Sequence, residues 1–276
     1  MVFEKGHKLY LFTKVHLYCG SKVGWANRKR PGLLYLHFLK ARYHELSLSN
    51  VREHAIFVGE DGIIAKIFEL LPSPSECDGY YLCIDVGAWD GKHLSNTYNL
   101  LCSKEANSEQ NWKGILIEPH PERFLDLKEL HDPLGNICLD ACVSCQYEST
   151  LSLSNILRDH VKTSDKVVDL LSIDVDGTDY WLMDDILRSQ VVKARVICIE
   201  FNPTMPDDII YIQERRDDIR HGSSLAALCE LAKKYSYALV ETTMYNAFFV
   251  LEDLYLHYLK DTVPIPDCSI EALHEG

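Results

Sequence analysis

Tyr81-Leu82-Cys83-Ile84-Asp85-Val86-Gly87-Ala88-Trp89-Asp90-Gly91 decides how this chain is read. An apolar run carries an acid near its end, breaks at a glycine turn and passes into a polar segment that reads as the start of a helix. Further on, Gly114-Ile115-Leu116-Ile117 is a second apolar run, and it ends at Glu118. Strand, glycine turn, helix, strand and acid, in that order, are how a parallel α/β sheet holds a nucleoside-bearing cofactor. Glycines let the backbone come close to a ligand, and an acid at the tip of the second strand accepts both ribose hydroxyls.

The spacing in the turn selects among cofactors. A dinucleotide fingerprint is G-x-G-x-x-G, which brings a helix N-terminus against a pyrophosphate. Here the turn is Gly87-Ala88-Trp89-Asp90-Gly91, and the Asp90 carboxylate repels phosphate. This disfavours an NAD(P)-dependent oxidoreductase. An acidic turn suits a cationic ligand without phosphates, and S-adenosylmethionine carries a sulfonium and an ammonium. In that reading Gly87, Ala88 and Asp90 wrap the amino-acid end, Asp85 or Asp90 orders the ammonium, and Glu118 clamps the ribose. The alternative is a tight strand-to-helix turn that only packs, with Glu118 an ordinary exposed acid.

Outward from this stretch the pattern alternates. Upstream, residues 59–71 read as a helix with Ile63, Ile64, Ile67, Phe68 and Leu71 on one stripe, stopped by Pro72 and Pro74. Downstream, strands are expected over 80–86, 114–118, 137–143, 168–175 and 195–201, with helices over 94–102, 121–130, 152–158 and 180–187. A polar loop, 202–221, leads to a helix over 223–235 and two last strands, 237–242 and 247–251, close enough to pair. The pattern predicts an α/β fold: a mainly parallel sheet with helices on both faces and a C-terminal antiparallel hairpin. Residues 1–55 read as a basic N-terminal helical arm or cap, 56–255 as the sheet domain and 256–276 as a tail.

Charge is unevenly spread. The chain of 276 residues has a net charge of −13, yet residues 1–50 hold nine Lys/Arg against only Glu4 and Glu45. The acidic body argues against nucleic acid as a partner. The basic arm reads as a solvated helical face or as a contact for an anionic partner. No apolar stretch reaches the roughly 18 residues of a membrane span, and no secretory apolar core is evident. These features lead to the expectation of a cytoplasmic protein with reduced thiols among its ten cysteines. Cys83, Cys138, Cys198 and Cys229 sit in or beside apolar runs and read as small buried hydrophobes. Cys142 and Cys145 have a metal-compatible spacing, but no second pair follows at a zinc-site distance.

The second constellation is Ile173-Asp174-Val175-Asp176-Gly177-Thr178-Asp179-Tyr180, followed by Ile199-Glu200-Phe201-Asn202. Carboxylates this close repel unless a cation, a basic group or a proton compensates. Adjacent parallel strands would bring Asp174 and Glu200 or Asn202 to one sheet edge. Such an oxygen-rich group suits a divalent metal such as magnesium, or forms a substrate-facing acidic floor without one. Alternatively Asp176 and Asp179 cap the next helix. His120, His93 and His221 are candidate bases, with His120 beside the ribose clamp. Glu60, in Gly59-Glu60-Asp61-Gly62, either caps a helix or closes over the methionine end of the cofactor.

Residues 83–91, 114–118, 171–180 and 196–202 resemble the FkbM-type class I S-adenosylmethionine-dependent methyltransferases, and residues 59–64 and 246–250 resemble one branch of that family. The likeness covers roughly 57–251. It departs from the family at Trp89, where Asn is common, and at Asp176, where Glu is usual. The resemblance implies a seven-stranded Rossmann-like sheet and O-methyl transfer to a hydroxyl of a sugar or other small molecule, so the expected partner is a small-molecule or glycan acceptor. It places Asp85, Gly87 and Glu118 on the cofactor and Asp174 at the transfer site. The metal reading of Asp174, Glu200 and Asn202 comes from a likeness to catechol O-methyltransferase. The competing expectation is a non-catalytic, methyltransferase-like interaction protein whose basic arm binds an anionic partner.

Overall fold

A computed structural model describes residues 60–73, 79–102, 111–161, 167–260 and 270. The basic arm and most of the tail lie outside the described residues. Seven strands form one sheet: β1 (Tyr81–Val86), β2 (Trp112–Ile117), β3 (Ile137–Leu139), β4 (Val167–Ile173), β5 (Lys193–Glu200), β6 (Tyr237–Thr242) and β7 (Asn246–Leu251). Their order is β3-β2-β1-β4-β5-β7-β6. The first five are parallel, and β7 runs antiparallel between β5 and β6. β1 and β4 are central and covered on both faces, so their sequences are near-continuous apolar runs rather than alternating ones.

Helix α1 (Glu60–Leu70) lays Ile63, Ile64, Ile67 and Phe68 into the core, as their helical spacing predicts. The Phe68 ring meets Trp112 edge-on at 4.9 Å, and Trp112 stacks on Tyr81 at 4.8 Å. This joins the helix to the starts of β1 and β2. The packed body continues past the hairpin, where a π-helical turn, Tyr255–Leu259, buries Tyr255 and Leu259.

Two elements differ from the sequence expectation. The helix expected over 94–102 is only α2 (Tyr98–Cys102). Leu94 sits at φ +54, and the Ser95 hydroxyl accepts from the backbone N–H of Thr97 and Tyr98, so the helix starts late. The third strand stops at Leu139 rather than Val143. Among the described residues it is an edge strand with β2 as its only neighbour, and the chain leaves the sheet at Asp140. The remaining helices, α3 (Pro121–His131), α4 (Leu153–His160), α5 (Asp179–Ser189) and α6 (Leu225–Lys234), lie where the periodicity puts them.

One buried ion pair braces the far end of the sheet. Arg195 Nη1 lies 2.6 Å from Asp169 Oδ1, Asp169 Oδ2 accepts from Leu82 N at 2.8 Å, and Arg195 Nη2 donates to the Pro72 carbonyl at 2.5 Å. β4, β5, β1 and the end of α1 are thereby tied together. Arg195→Ala strands a buried carboxylate and is expected to cost about 3–5 kcal/mol in urea unfolding. A loss under about 1 kcal/mol, typical of an exposed pair, would contradict the bracing role.

Candidate functional site

Registered partners in a pleated sheet share a face, and every second residue returns to it. Asp85 is registered with Leu116 and Ser172, Ser172 with Cys198, and Glu200 with Asn246. One face therefore carries, near the carboxyl ends of β2, β1, β4 and β5, the series Glu118, Asp85, Ser172 and Asp174, Cys198 and Glu200, ending at Asn246 on β7. The segment before α2 lies on this row. Thr97 Oγ1 donates to Asp85 Oδ2 at 2.6 Å, and Asn96 Nδ2 contacts Ser172 Oγ at 3.3 Å and Cys198 Sγ at 3.6 Å. The start of α1 lies there too. Glu60 Oε1 accepts from Thr243 Oγ1 at 2.9 Å and Asn246 Nδ2 at 2.8 Å, while Asn99 donates to Asp61.

The glycine turn is held between the ends of two parallel neighbours of β1. Gly87 has φ +89, and a Cβ there would overlap the Asp174 carbonyl oxygen. Asp174 N donates to Val86 O at 3.0 Å, which holds the two strand ends together. Ala88 is buried, with its N–H on Ile117 O at 3.0 Å. Asp90 Oδ1 accepts from the N–H groups of Lys92 and His93, so this carboxylate caps the turn. His131, from α3, supports the turn from behind. Asn136 Oδ1 accepts from Gly114 N, so its amide nitrogen faces His131 Nδ1 and leaves Nε2 to donate to the Gly91 carbonyl. Burial pushes the His131 pKa down, in keeping with this neutral ring.

Glu118 joins two turns. Its Oε2 accepts from Trp89 N at 3.0 Å and its Oε1 from His120 N at 2.8 Å. Each oxygen keeps a further lone pair. The Arg123 guanidinium lies 3.4 Å over the Trp89 ring beside it. His120 is exposed on the β2 side, Asp174 follows β4, and β1 runs between them. His93 and His221 are also exposed. Next to Glu118, whose N–H bonds Leu139 O, a groove of about 520 Å³ opens between the end of β3 and α4. Asp140, Ala141, Asn155, Ile156 and Arg158 line it. The expected longer third strand hid this groove from the sequence reading.

The acids behave unequally. Asp174, Asp176 and Glu200 each offer a carboxylate oxygen within 4.8 Å of the others. Asp176 is exposed at φ +58. Asp179 turns inward and clasps the turn, accepting from Val175 N at 2.9 Å and Gly177 N at 2.8 Å. Asn202 has a different job: its Nδ2 donates to His221 O at 2.7 Å, and its Oδ1 accepts from Thr204 N and Oγ1. Asp176, which the sequence reading had not grouped with Glu200, completes an oxygen trio with Asp174 and Glu200. Burial, with neighbouring carboxylates adding to it, lifts Asp174 to about 8 and Glu200 to about 9. Burial lifts Asp85 to about 6 against the pull of its Thr97 and Ser172 hydrogen bonds, and it raises Glu60 as well. Among the described residues no Lys or Arg forms an ion pair with Asp174, Asp176, Glu200 or Glu60.

Cys83, Cys102, Cys138, Cys142, Cys145 and Cys198 are free thiols. Cys83 and Cys198 are buried as expected, Cys138 and Cys229 are half-buried, and Cys142 is exposed while Cys145 is buried.

No family model matches the sequence, and no curated protein matches it. Among solved structures, the chain is similar to an S-adenosylmethionine-dependent methyltransferase from Clostridium acetobutylicum (14% identity, TM-score 0.39, 78% of this chain and 98% of that one). It is also similar to a TehB-like methyltransferase from Corynebacterium glutamicum (10%, 0.35, 77% and 96%). A third is Aeropyrum pernix fibrillarin with natively bound S-adenosyl-L-methionine (11%, 0.37, 67% and 72%). At these scores the fold class rests on strand order and register. The order β3-β2-β1-β4-β5-β7-β6, with an antiparallel β7, is a seven-stranded Rossmann-like sheet ending in an antiparallel hairpin. No helix among the described residues is long and apolar enough to cross a membrane.

Proposed function

We propose that this chain is an S-adenosylmethionine-dependent O-methyltransferase acting on a hydroxyl of a sugar or other small molecule. The observation that supports it most is the single polar face shared by Glu118, Asp85 and Asp174 across three adjacent strands. The residues fit the cofactor chemically. The glycine turn offers acids and no phosphate cradle, and Glu118 retains lone pairs for two ribose hydroxyls. Gly87, Ala88 and Asp90 shape the turn, while Asp85 on β1 makes this part of the row favourable to a cation, and the buried Glu60 stands at the β7 end. When bound, S-adenosylmethionine supplies an electrophilic methyl on a neutral leaving group.

The protein's own work is then to orient the acceptor and take its proton. Asp174 suits the second task, because a carboxyl with a pKa of about 8 holds and releases a proton near neutral pH. His120, across β1 from Asp174, is less well placed for an acceptor on the β4 side. Positioning contributes much of the acceleration in transfers of this kind. A second reading adds a divalent ion such as magnesium, favoured by the mutual 4.8 Å spacing of Asp174, Asp176 and Glu200. There the trio would hold the ion, which would polarise the acceptor oxygen. Chelation separates the two: a metal-dependent enzyme loses turnover in EDTA, and a metal-free one keeps it.

Glu118→Ala is expected to weaken S-adenosylhomocysteine binding by roughly 100-fold or more in calorimetry, since two hydrogen bonds to a charged acceptor are lost. Unchanged affinity in a variant that melts as a folded protein would remove Glu118 from the cofactor site.

A further inference from the structure

We infer that the acid-lined face from Asp174 to Asn246 seats a cationic nitrogen, so that the acceptor carries an amine on the same skeleton as the atom it offers for methylation, several bonds away from it. The word acceptor rests on the methyl-transfer reading; the seat itself rests on geometry. Asp174, Asp176, Glu200 and Glu60 form no ion pair among the described residues, the Arg220 Nη1 nearby being placed on the Val175 carbonyl at 3.4 Å, and acids gathered in this way favour a positive ligand over the protons that otherwise offset their repulsion.

Asn246 is the independent observation. It is only 5% exposed, its Nδ2 is committed to Glu60, and its Oδ1 has no hydrogen-bond partner. Native interiors leave few such acceptors unmet. The amide orientation follows from chemistry, because its donor edge faces the Glu60 carboxylate. Asn246 stands directly opposite Glu200 in the β5–β7 ladder, so the two side chains share a face with Cβ atoms about 4.5–5.5 Å apart. The orphan oxygen therefore belongs to the same row as Glu200 and Asp174.

Extent argues for an organic ligand. From Asp174 after β4 to Asn246 on β7 the row crosses β5, two inter-strand spacings or about 10 Å. A single metal ion holds its oxygens at about 2.0–2.6 Å and serves one end only. An ammonium has three N–H donors for Glu200 and Asn246 together, and the carbon skeleton attached to it spans the remaining distance to Asp174. A hydroxyl in that seat offers one donor and no charge. Small amino alcohols and amino sugars have the required pairing.

Two matched probes test this on the full chain: 6-amino-1-hexanol and 1,6-hexanediol, compared by ligand-observed NMR, with S-adenosylhomocysteine affinity measured on the same sample. The amine is expected to bind at least about tenfold more tightly than the diol. Glu200→Gln should remove most of that preference, Asn246→Ala should reduce it, and Asp253→Asn, on the outer surface, should leave it intact. Melting curves confirm that each variant is folded, and Glu200→Gln carries the test if Asn246→Ala is not. Equal binding of the two probes overturns the inference, as does a preference that survives Glu200→Gln or is abolished by magnesium or calcium. Homocysteine-cofactor binding without an amine preference overturns the seat and spares the methyl-transfer reading. An amine preference without cofactor binding does the reverse.

Discussion

Gly87→Ala is expected to cost on the order of 4 kcal/mol and to leave little folded protein at 37 °C. Two penalties combine. The backbone sits at φ +89, where an L side chain is strained by about 1–2 kcal/mol. A Cβ would also overlap the backbone carbonyl of Asp174, and overpacking a rigid site costs about 1–3 kcal/mol or more. Neither strand can retreat: β1 and β4 are neighbours at the centre of the sheet, pinned here by Asp174 N on Val86 O. Gly79→Ala is the internal control. Gly79 also has a positive φ, +66, but nothing lies within 4 Å of its added Cβ. It should cost only the strain, about 1 kcal/mol. Urea unfolding of both variants decides the matter. Equal losses would mean that the Gly87 turn is not pressed against the end of β4.

Asp174→Asn is expected to lower turnover by at least about 100-fold while making the protein more stable at pH 8. The opposite signs are the diagnostic feature. Burial and the nearby acids raise Asp174 to about 8 in the folded state from 3.8 in the unfolded chain. Between these values the folded protein holds a proton that the unfolded chain has released, so stability falls as pH rises from about 4 through about 8. Asn is neutral throughout and escapes this loss. It also relieves Glu200, whose pKa is raised by burial and then by Asp174. The gap between variant and wild type should open with rising pH and reach as much as about 5 kcal/mol by pH 8. His131 works in the other direction. Held neutral, it costs stability as pH falls below the unfolded value of 6.5, so the difference between the two proteins is the quantity to follow. Normal turnover in Asp174→Asn, or a gap that closes as pH rises, would contradict the role given to this carboxyl.

The parts of the fold that were legible in the sequence are those written locally. Apolar runs fixed β1, β2, β4 and β5, because central parallel strands need both faces apolar. The stripe of Ile63, Ile64, Ile67 and Phe68 fixed α1, and proximity alone paired the last two strands. The late start of α2 was not legible: its apolar residues continue the helical pattern upstream, while the deciding features are the Ser95 cap and the φ of Leu94. Asp174 and Glu200 were legible as strand-end acids, and the register brings them together. The place of Asp176 beside Asp174 and Glu200 was not, since it depends on a left-handed turn. Glu60 shows the same divide. Its place at a helix start was readable, whereas its bonds to Thr243 and Asn246 come from the far end of the chain. So do the contacts of Asn96 with Ser172 and Cys198. Interactions of that range follow from strand order, which local propensity does not encode.

The most direct test of the central claim, that the carboxyl edge of β2, β1 and β4 is one cofactor and transfer site, is a crystal structure of the full chain grown with S-adenosylhomocysteine. The account predicts the ribose hydroxyls on the Glu118 carboxylate, the amino-acid end over the turn that follows β1, and the sulfur facing Asp174. A ligand bound elsewhere, or a soaked crystal with nothing between Glu118 and Asp174, would contradict it.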